Sequence, residues 1–173
     1  MVAFGQILKK AVLEMAPFGV INLHGSLLPD LRGAAPINWA IIRGCKQTGN
    51  TTMKTDRGVD TGPMLLKQVI DIEDNMDAEE LGKAMASQGA DLIVRTLHGI
   101  ANGTIVPEEQ EHEIATYAPI LSKEMGKIVW ENDALTIHNL VRGLKPWPGT
   151  YAIFQDNPLK IIKTRIPEDK NYP

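Results

Sequence analysis

Apolar and polar positions alternate here at two different periods, and the switches between them mark out the elements. Residues 1–8, Met-Val-Ala-Phe-Gly-Gln-Ile-Leu, form an apolar run with no cap or turn ahead of it, which predicts a buried strand that begins mid-stride. Residues 10–15 carry a helical pattern, and residues 20–24, Val-Ile-Asn-Leu-His, predict a second short strand. Residues 36–43 predict a helix with Pro36 in its first turn, where a missing N–H leaves nothing unpaired. Two further strands are expected over residues 51–55 and 64–70. The loop between them carries Asp56, Gly58, Asp60 and Gly62, and its glycines allow close backbone approach to a ligand.

Residues 77–103 give the clearest helix. Asp77 can cap it, and Glu80 three residues later completes a capping box. Leu81, Met85, Leu92, Ile93, Leu97 and Ile100 fall on one face, and Gly103 suits the end. Strands alternating with helices over residues 1–103 predict an α/β sheet with helices on its faces. From Thr104 the pattern changes. The stretch Pro-Glu-Glu-Gln-Glu-His-Glu over residues 107–113 is acidic and polar, and residues 104–122 read as a linker. A short amphipathic helix opens at Asp133 and runs through Leu144 until Pro146-Trp147-Pro148-Gly149 breaks it. Residues 150–154 and 159–164 predict a hairpin turning at Asp156-Asn157-Pro158. A lone hairpin is marginal in water, so residues 123–173 read as an unfinished second unit.

Composition changes this picture little. A chain of 173 residues with 43% apolar side chains supports one ordinary core and part of another. A net charge of -3 advertises no nucleic-acid surface, and Lys160, Lys163 and Arg165 make only a short basic ridge. One cysteine, Cys45, excludes an intrachain disulfide and suits a reducing compartment, so a cytoplasmic protein is expected. No apolar run is long enough to span a membrane. Trp39, Trp130 and Trp147 are expected as core or interdomain anchors.

The chemistry concentrates at one place. Asn22 and His24 lie two apart on a strand, so their amide and imidazole share a face. Asp60, if brought alongside, could fix the imidazole tautomer or relay a proton. An amide, an imidazole and a carboxylate together can support acyl transfer without a covalent intermediate. Ser26 sits outside any Gly-x-Ser-x-Gly elbow, so its hydroxyl is expected to stabilise a turn. His98, His112 and His138 have no partner at metal-ligand spacing, so no metal is expected, and no phosphate-binding glycine motif appears.

Asn22-x-His24, Ser26-Leu27-Leu28-Pro29 and Asp60-Thr61-Gly62 together resemble the 10-formyltetrahydrofolate-dependent formyltransferases. The stretches Arg32–Ile37, Gly58–Met64 and Ala115–Glu124, with Arg142-Gly143-Leu144 and Pro146-Trp147-Pro148-Gly149, are most similar to the branch of that family that formylates methionine on initiator tRNA. The resemblance covers essentially the whole chain. It implies a Rossmann-like catalytic domain over residues 1–103, the linker, and the start of an OB-like barrel over residues 123–173. It implies that Asn22 and His24 polarise the formyl oxygen while Asp60 orients His24 and takes part in proton transfer. The formyl donor, 10-formyltetrahydrofolate, would lie against Gln6, Ile7 and Leu8, the Ser26, Leu27, Leu28 and Pro29 loop, and the turn of Asp56, Arg57, Gly58 and Val59. The implied partners are initiator methionyl-tRNA and the folate, with neither a membrane nor a protein partner. Relative to the family, the segments before residue 1 and most of the barrel after residue 173 are missing. The chain therefore resembles the middle of the enzyme, and low stability and poor activity are expected of it alone. The alternatives are a formyltransferase acting on a sugar-nucleotide or other small amine, a purine-pathway or hydrolase relative, and a non-catalytic fragment.

Overall fold

The computed structural model describes residues 1–2 and 8–166. Most of the first expected strand, with Gln6 and Ile7, lies outside the described residues. Its start is visible: Val2 forms a parallel bridge to Leu23, and the Leu23 N–H donates to the Met1 carbonyl at 3.0 Å.

The central sheet has three further strands in the order β1 (Ile21–His24), β3 (Gln47–Lys54) and β4 (Met64–Asp71). The α/β character holds, but the pairing among these three is antiparallel, and the only parallel contact to the sheet among the described residues is that of Val2. β3 starts four residues before its expected position. Thr48 and Asn50 look like loop residues in sequence, yet both are buried. The Asn50 amide donates to the Met85 carbonyl at 2.9 Å, which supplies the partner a buried amide needs.

The long helix α3 (Ala78–Ala101) begins at Asp77, whose carboxylate accepts from the Glu79 and Glu80 amides while Glu80 accepts from the Asp77 N–H. The expected capping box is therefore present. The buried stripe of α3 agrees with expectation at Leu81, Met85 and Leu92, then departs from it: Thr96 and Gly99 face inward and Leu97 is exposed. The reason is close approach to the sheet. The Thr96 and Thr52 hydroxyls meet at 2.9 Å, and a Cβ at Gly89 would stand 2.7 Å from Leu23 Cδ2. Burying Leu81, Met85 and Leu92 stabilises the unit by about 1.5–3 kcal/mol per side chain. Helix α2 (Pro36–Ile42) packs Ile41 and Ala40 into the same core. The expected helix over residues 10–15 shortens to α1 (Lys10–Leu13).

Residues 104–122 do not float free. Met64 and Glu108 exchange N–H···O bonds at 2.7 and 2.8 Å. Gln110 is 4% exposed. A two-residue strand β5 (Tyr117–Ala118) runs parallel to β2 (Arg32–Gly33), a pairing too short to read from sequence. Trp39 meets the anchor expectation, since its Nε1–H donates to the Pro119 carbonyl at 2.8 Å. Trp130 and Trp147 do not: they are 62% and 52% exposed.

Helix α4 (Ala134–Gly143) packs against α2, with the Asn38 amide donating to the Gly143 carbonyl at 2.8 Å. Arg142 is buried there and donates to Asn139 and to the Glu73 and Met76 carbonyls. The closing hairpin pairs β6 (Thr150–Phe154) with β7 (Asn157–Ile161). Its turn ends two residues earlier than expected. Gln155 and Asp156 hold φ of +48° and +62°, the geometry that matches strand twist in a two-residue hairpin, so Asn157 and Pro158 already belong to β7. No described helix is long and apolar enough to cross a membrane, and no group of acidic, histidine or cysteine side chains that could hold a metal occurs among the described residues.

Candidate active site

Strand β1 supplies the first two groups. Asn22 and His24 both line one cavity of about 600 Å³, as their i, i+2 spacing requires. The loop after β1 then doubles back. The His24 Nε2 lies 2.9 Å from the Leu31 carbonyl, and a carbonyl only accepts, so Nε2 carries a proton. The other ring nitrogen, Nδ1, faces Asp60 Oδ2 at 3.5 Å.

Asp60 stands in the loop between β3 and β4 with φ of +53°, a left-handed conformation that aspartate tolerates better than most residues. Its Oδ2 also accepts from the Gly33 N–H at 2.9 Å. Gly33 itself has φ of +112°, and a Cβ there would meet the Ala118 carbonyl oxygen at 2.8 Å. Only glycine permits that approach. His24 is 6% exposed and the Asp60 side chain 16%, so the imidazole and carboxylate face each other where solvent screens them less than at a surface.

The remaining expected site residues divide. Leu8, Asp56, Gly58 and Val59 line the cavity with Asn22, His24 and Asp60. Asp56 accepts from the Gly58 N–H at 3.0 Å and from the Thr61 hydroxyl, which shapes that turn. Arg57, Ser26, Leu27, Leu28 and Pro29 are not among the lining residues. Ser26 is fully buried with its hydroxyl donating to the Asp30 carbonyl, and Thr51 Oγ1 donates to the Ser26 carbonyl while accepting from the Leu28 N–H. The turn role expected of Ser26 agrees with this geometry. The loop thereby fixes the chain just after His24.

Several wall residues were not among the expected site residues: Ala34, Ala35, Ile37 and Asn38 at the start of α2, Met53 and Thr55 on and just after β3, and Met85 on α3. The signal for the first group was present in Gly33-Ala34-Ala35-Pro36, small residues before a helix start. Met53 and Met85 look like core in sequence, and they are core, 1% and 2% exposed, with the cavity opening beside them.

Residues 1–97 match the family described as "Formyl transferase", and residues 120–173 match "Formyl transferase, C-terminal domain". The chain belongs to the formyl transferase family. Over 165 residues it is 54% identical to a methionyl-tRNA formyltransferase of Clostridium perfringens, covering 95% of this chain and 53% of the relative. The chain thus spans about half the length of the curated relatives it matches. Among solved structures, the methionyl-tRNA formyltransferase from Clostridium thermocellum superposes with a TM-score of 0.74 at 25% identity, over 96% of this chain and 71% of that one. An N-formyltransferase from Helicobacter canadensis, solved with folinic acid and dTDP-3-aminofucose, gives 0.76 at 25% identity, over 88% of this chain and 57% of that one. This formyl transferase fold is mixed α/β, and the match to the C-terminal family begins at residue 120, just after β5.

Proposed function

We propose that this chain carries the catalytic centre of a methionyl-tRNA formyltransferase, moving a formyl group from 10-formyltetrahydrofolate to the α-amine of methionine on initiator tRNA. The observation that carries the reading is the convergence of Asn22, His24 and Asp60 on one cavity wall. It is supported by 54% identity to a relative of that name.

The cavity suits such a donor. Its volume of about 600 Å³ lies within the usual range for small-molecule sites, and its wall is mainly apolar with a few convergent polar groups. Ile37 and Val59 offer apolar contact for a ring system, backed by the buried Met53 and Met85. 10-Formyltetrahydrofolate supplies a formyl carbon that an amine can attack. The Asn22 amide would donate to the formyl oxygen and stabilise the charge that builds on it. His24, held by Leu31, presents Nδ1 alone. Carrying a second proton, the ring would donate from Nδ1 to the same oxygen, its charge balanced by Asp60. Asp60 would take the proton lost by the amine; collapse of the tetrahedral centre would then break the bond from the formyl carbon to N10 of the folate, which takes up that proton and leaves as tetrahydrofolate. The roles assigned to Gln6, Ile7 and Leu8, to the Ser26–Pro29 loop, and to Asp56, Arg57, Gly58 and Val59 in seating the folate belong to the same proposal.

In this reading residues 1–103 are the later part of the catalytic domain, residues 104–122 the connector, and residues 123–173 the beginning of an OB-like domain. Such an activity belongs in the cytoplasm with translation. The likeness to a protein solved with a dTDP-amino sugar supplies the competing acceptor. Formyl transfer should therefore be followed with 10-formyltetrahydrofolate and either methionyl-tRNA or dTDP-3-aminofucose. Transfer to methionyl-tRNA, reduced about 100-fold or more by Asn22→Ala and by His24→Ala, is the expected result. Transfer to the sugar alone, or full activity in both variants, refutes it.

A further inference from the structure

We propose that Gln110 is a positioning residue that sets where the Asp60 carboxylate lies relative to His24. The inference rests on the formyl-transfer reading of the site and deepens it.

Gln110 comes from the acidic stretch, between Glu109 and Glu111, and its position there gives no hint of a role. In the fold it is 4% exposed and bonded at every polar atom of its side chain. Its Nε2 donates to the Asp60 carbonyl at 2.9 Å and to the Gly62 carbonyl at 2.7 Å. Its Oε1 accepts from Arg32 Nε at 3.0 Å and Nη2 at 2.6 Å. A guanidinium can only donate, so Arg32 fixes which end of the amide faces Asp60. Arg32 is itself 2% exposed, and its Nη2 also meets His112 Nδ1 at 3.1 Å.

The consequence is a closed frame around His24. Leu31 accepts from the ring, Arg32 clamps Gln110, and Gly33 donates to the Asp60 carboxylate. Three successive residues thus hold the histidine, the brace and the acid. Gln110 completes the frame from the opposite side by holding the backbone of Asp60 at its left-handed φ. A carboxylate 3.5 Å from Nδ1 is sensitive to small rotations of that turn, and groups held through locked supports act at the intended distance.

The test uses the 173-residue chain, labelled for amide NMR, with the Gly33 N–H as reporter of the Asp60 carboxylate. In Gln110→Glu the acceptor for Arg32 remains and both donors to Asp60 and Gly62 are lost. Gly33 amide exchange should then accelerate about 10-fold or more, as it does in Asp60→Ala, while the α3 core amides stay protected. The double variant should add less than about 2-fold, because both changes act through one group. If Gln110→Glu fails to fold, the unmodified chain still decides. The Gln110 side-chain amide protons should exchange far more slowly than those of an exposed glutamine. Free exchange of those protons, or an unchanged Gly33 amide in Gln110→Glu, overturns the proposal. A transfer assay separates this from the functional reading. Gln110→Glu should lower kcat about 10-fold with the KM for 10-formyltetrahydrofolate within about 2-fold, and a change in KM alone also overturns it. Transfer left unchanged by Asn22→Ala and by His24→Ala, with the Gly33 effect present, removes the functional reading and leaves the frame standing.

Discussion

Asp77→Ala should unfasten the start of α3, and the size of the loss can be worked from its contacts. The Asp77 side chain is 11% exposed, and its carboxylate accepts from the Glu79 and Glu80 amides at 3.0 and 2.9 Å. Lys145 Nζ donates to its other oxygen at 2.5 Å, tying α3 to the segment after α4. Losing an N-cap costs about 0.5–2 kcal/mol, and two amides left without a buried partner place this case near the top, at about 2 kcal/mol. For a chain of this size that lowers Tm by about 4–8 °C, measured by circular dichroism. Asp77→Asn keeps an oxygen at the cap and loses the charge, so it should cost less than half as much. Acid separates the two contributions. Burial pushes the Asp77 carboxyl up, but the Lys145 ammonium and the Glu80 and Glu79 amides outweigh this and hold it below its usual value. A lowered value in the folded state means that the stabilisation is complete above the unfolded range and is lost as pH falls through the folded value. The Tm gap between the native chain and Asp77→Asn should therefore narrow below about pH 4. Equal losses for Ala and Asn at pH 7, or a gap unchanged on acidification, would refute the account.

Other substitutions test other links. Gly62→Ala would drive a Cβ onto the Lys54 carbonyl oxygen, and overpacking of that kind should cost about 3 kcal/mol and abolish transfer, read by thermal unfolding and the formylation assay. Leu92→Ala empties a fully buried site on α3 and should cost about 2–5 kcal/mol in denaturant titration, with the slope unchanged. Thr96→Val keeps the shape and removes the hydroxyl that meets Thr52 and donates to the Leu92 carbonyl, for about 1 kcal/mol in the same titration.

What could be read in the sequence was what depends on near neighbours. The capping box at Asp77 and Glu80 needs only a three-residue spacing, and the shared face of Asn22 and His24 only a strand. Asp60 was identifiable as a group in a glycine turn, but its approach to His24 depends on the register of β1 on β3, Asn22 opposite Met53, which no local pattern encodes. The early start of β3 was hidden because Thr48, Gly49 and Asn50 carry turn chemistry that the core overrides with partners from α3. The docking of residues 104–122 was hidden by their charge. Glu109 and Glu111 point outward, and the one buried neighbour between them is a glutamine rather than an apolar marker. The exposed Trp130 and Trp147 show the limit of residue type as a guide to burial.

The frame around His24 also has a cost in chain entropy. Arg32 and Gln110 are 78 residues apart, and Leu31 and Thr116 are 85 apart. Closing a flexible loop of that length costs about 4 kcal/mol, recovered only when residues 110–118 arrive. Helix α3 and the hairpin of β3 and β4 can form from local contacts before then. The arrangement at Asp60 is consequently a late event during synthesis, and a single cut in the connector would disarm the site while leaving most of the secondary structure in place.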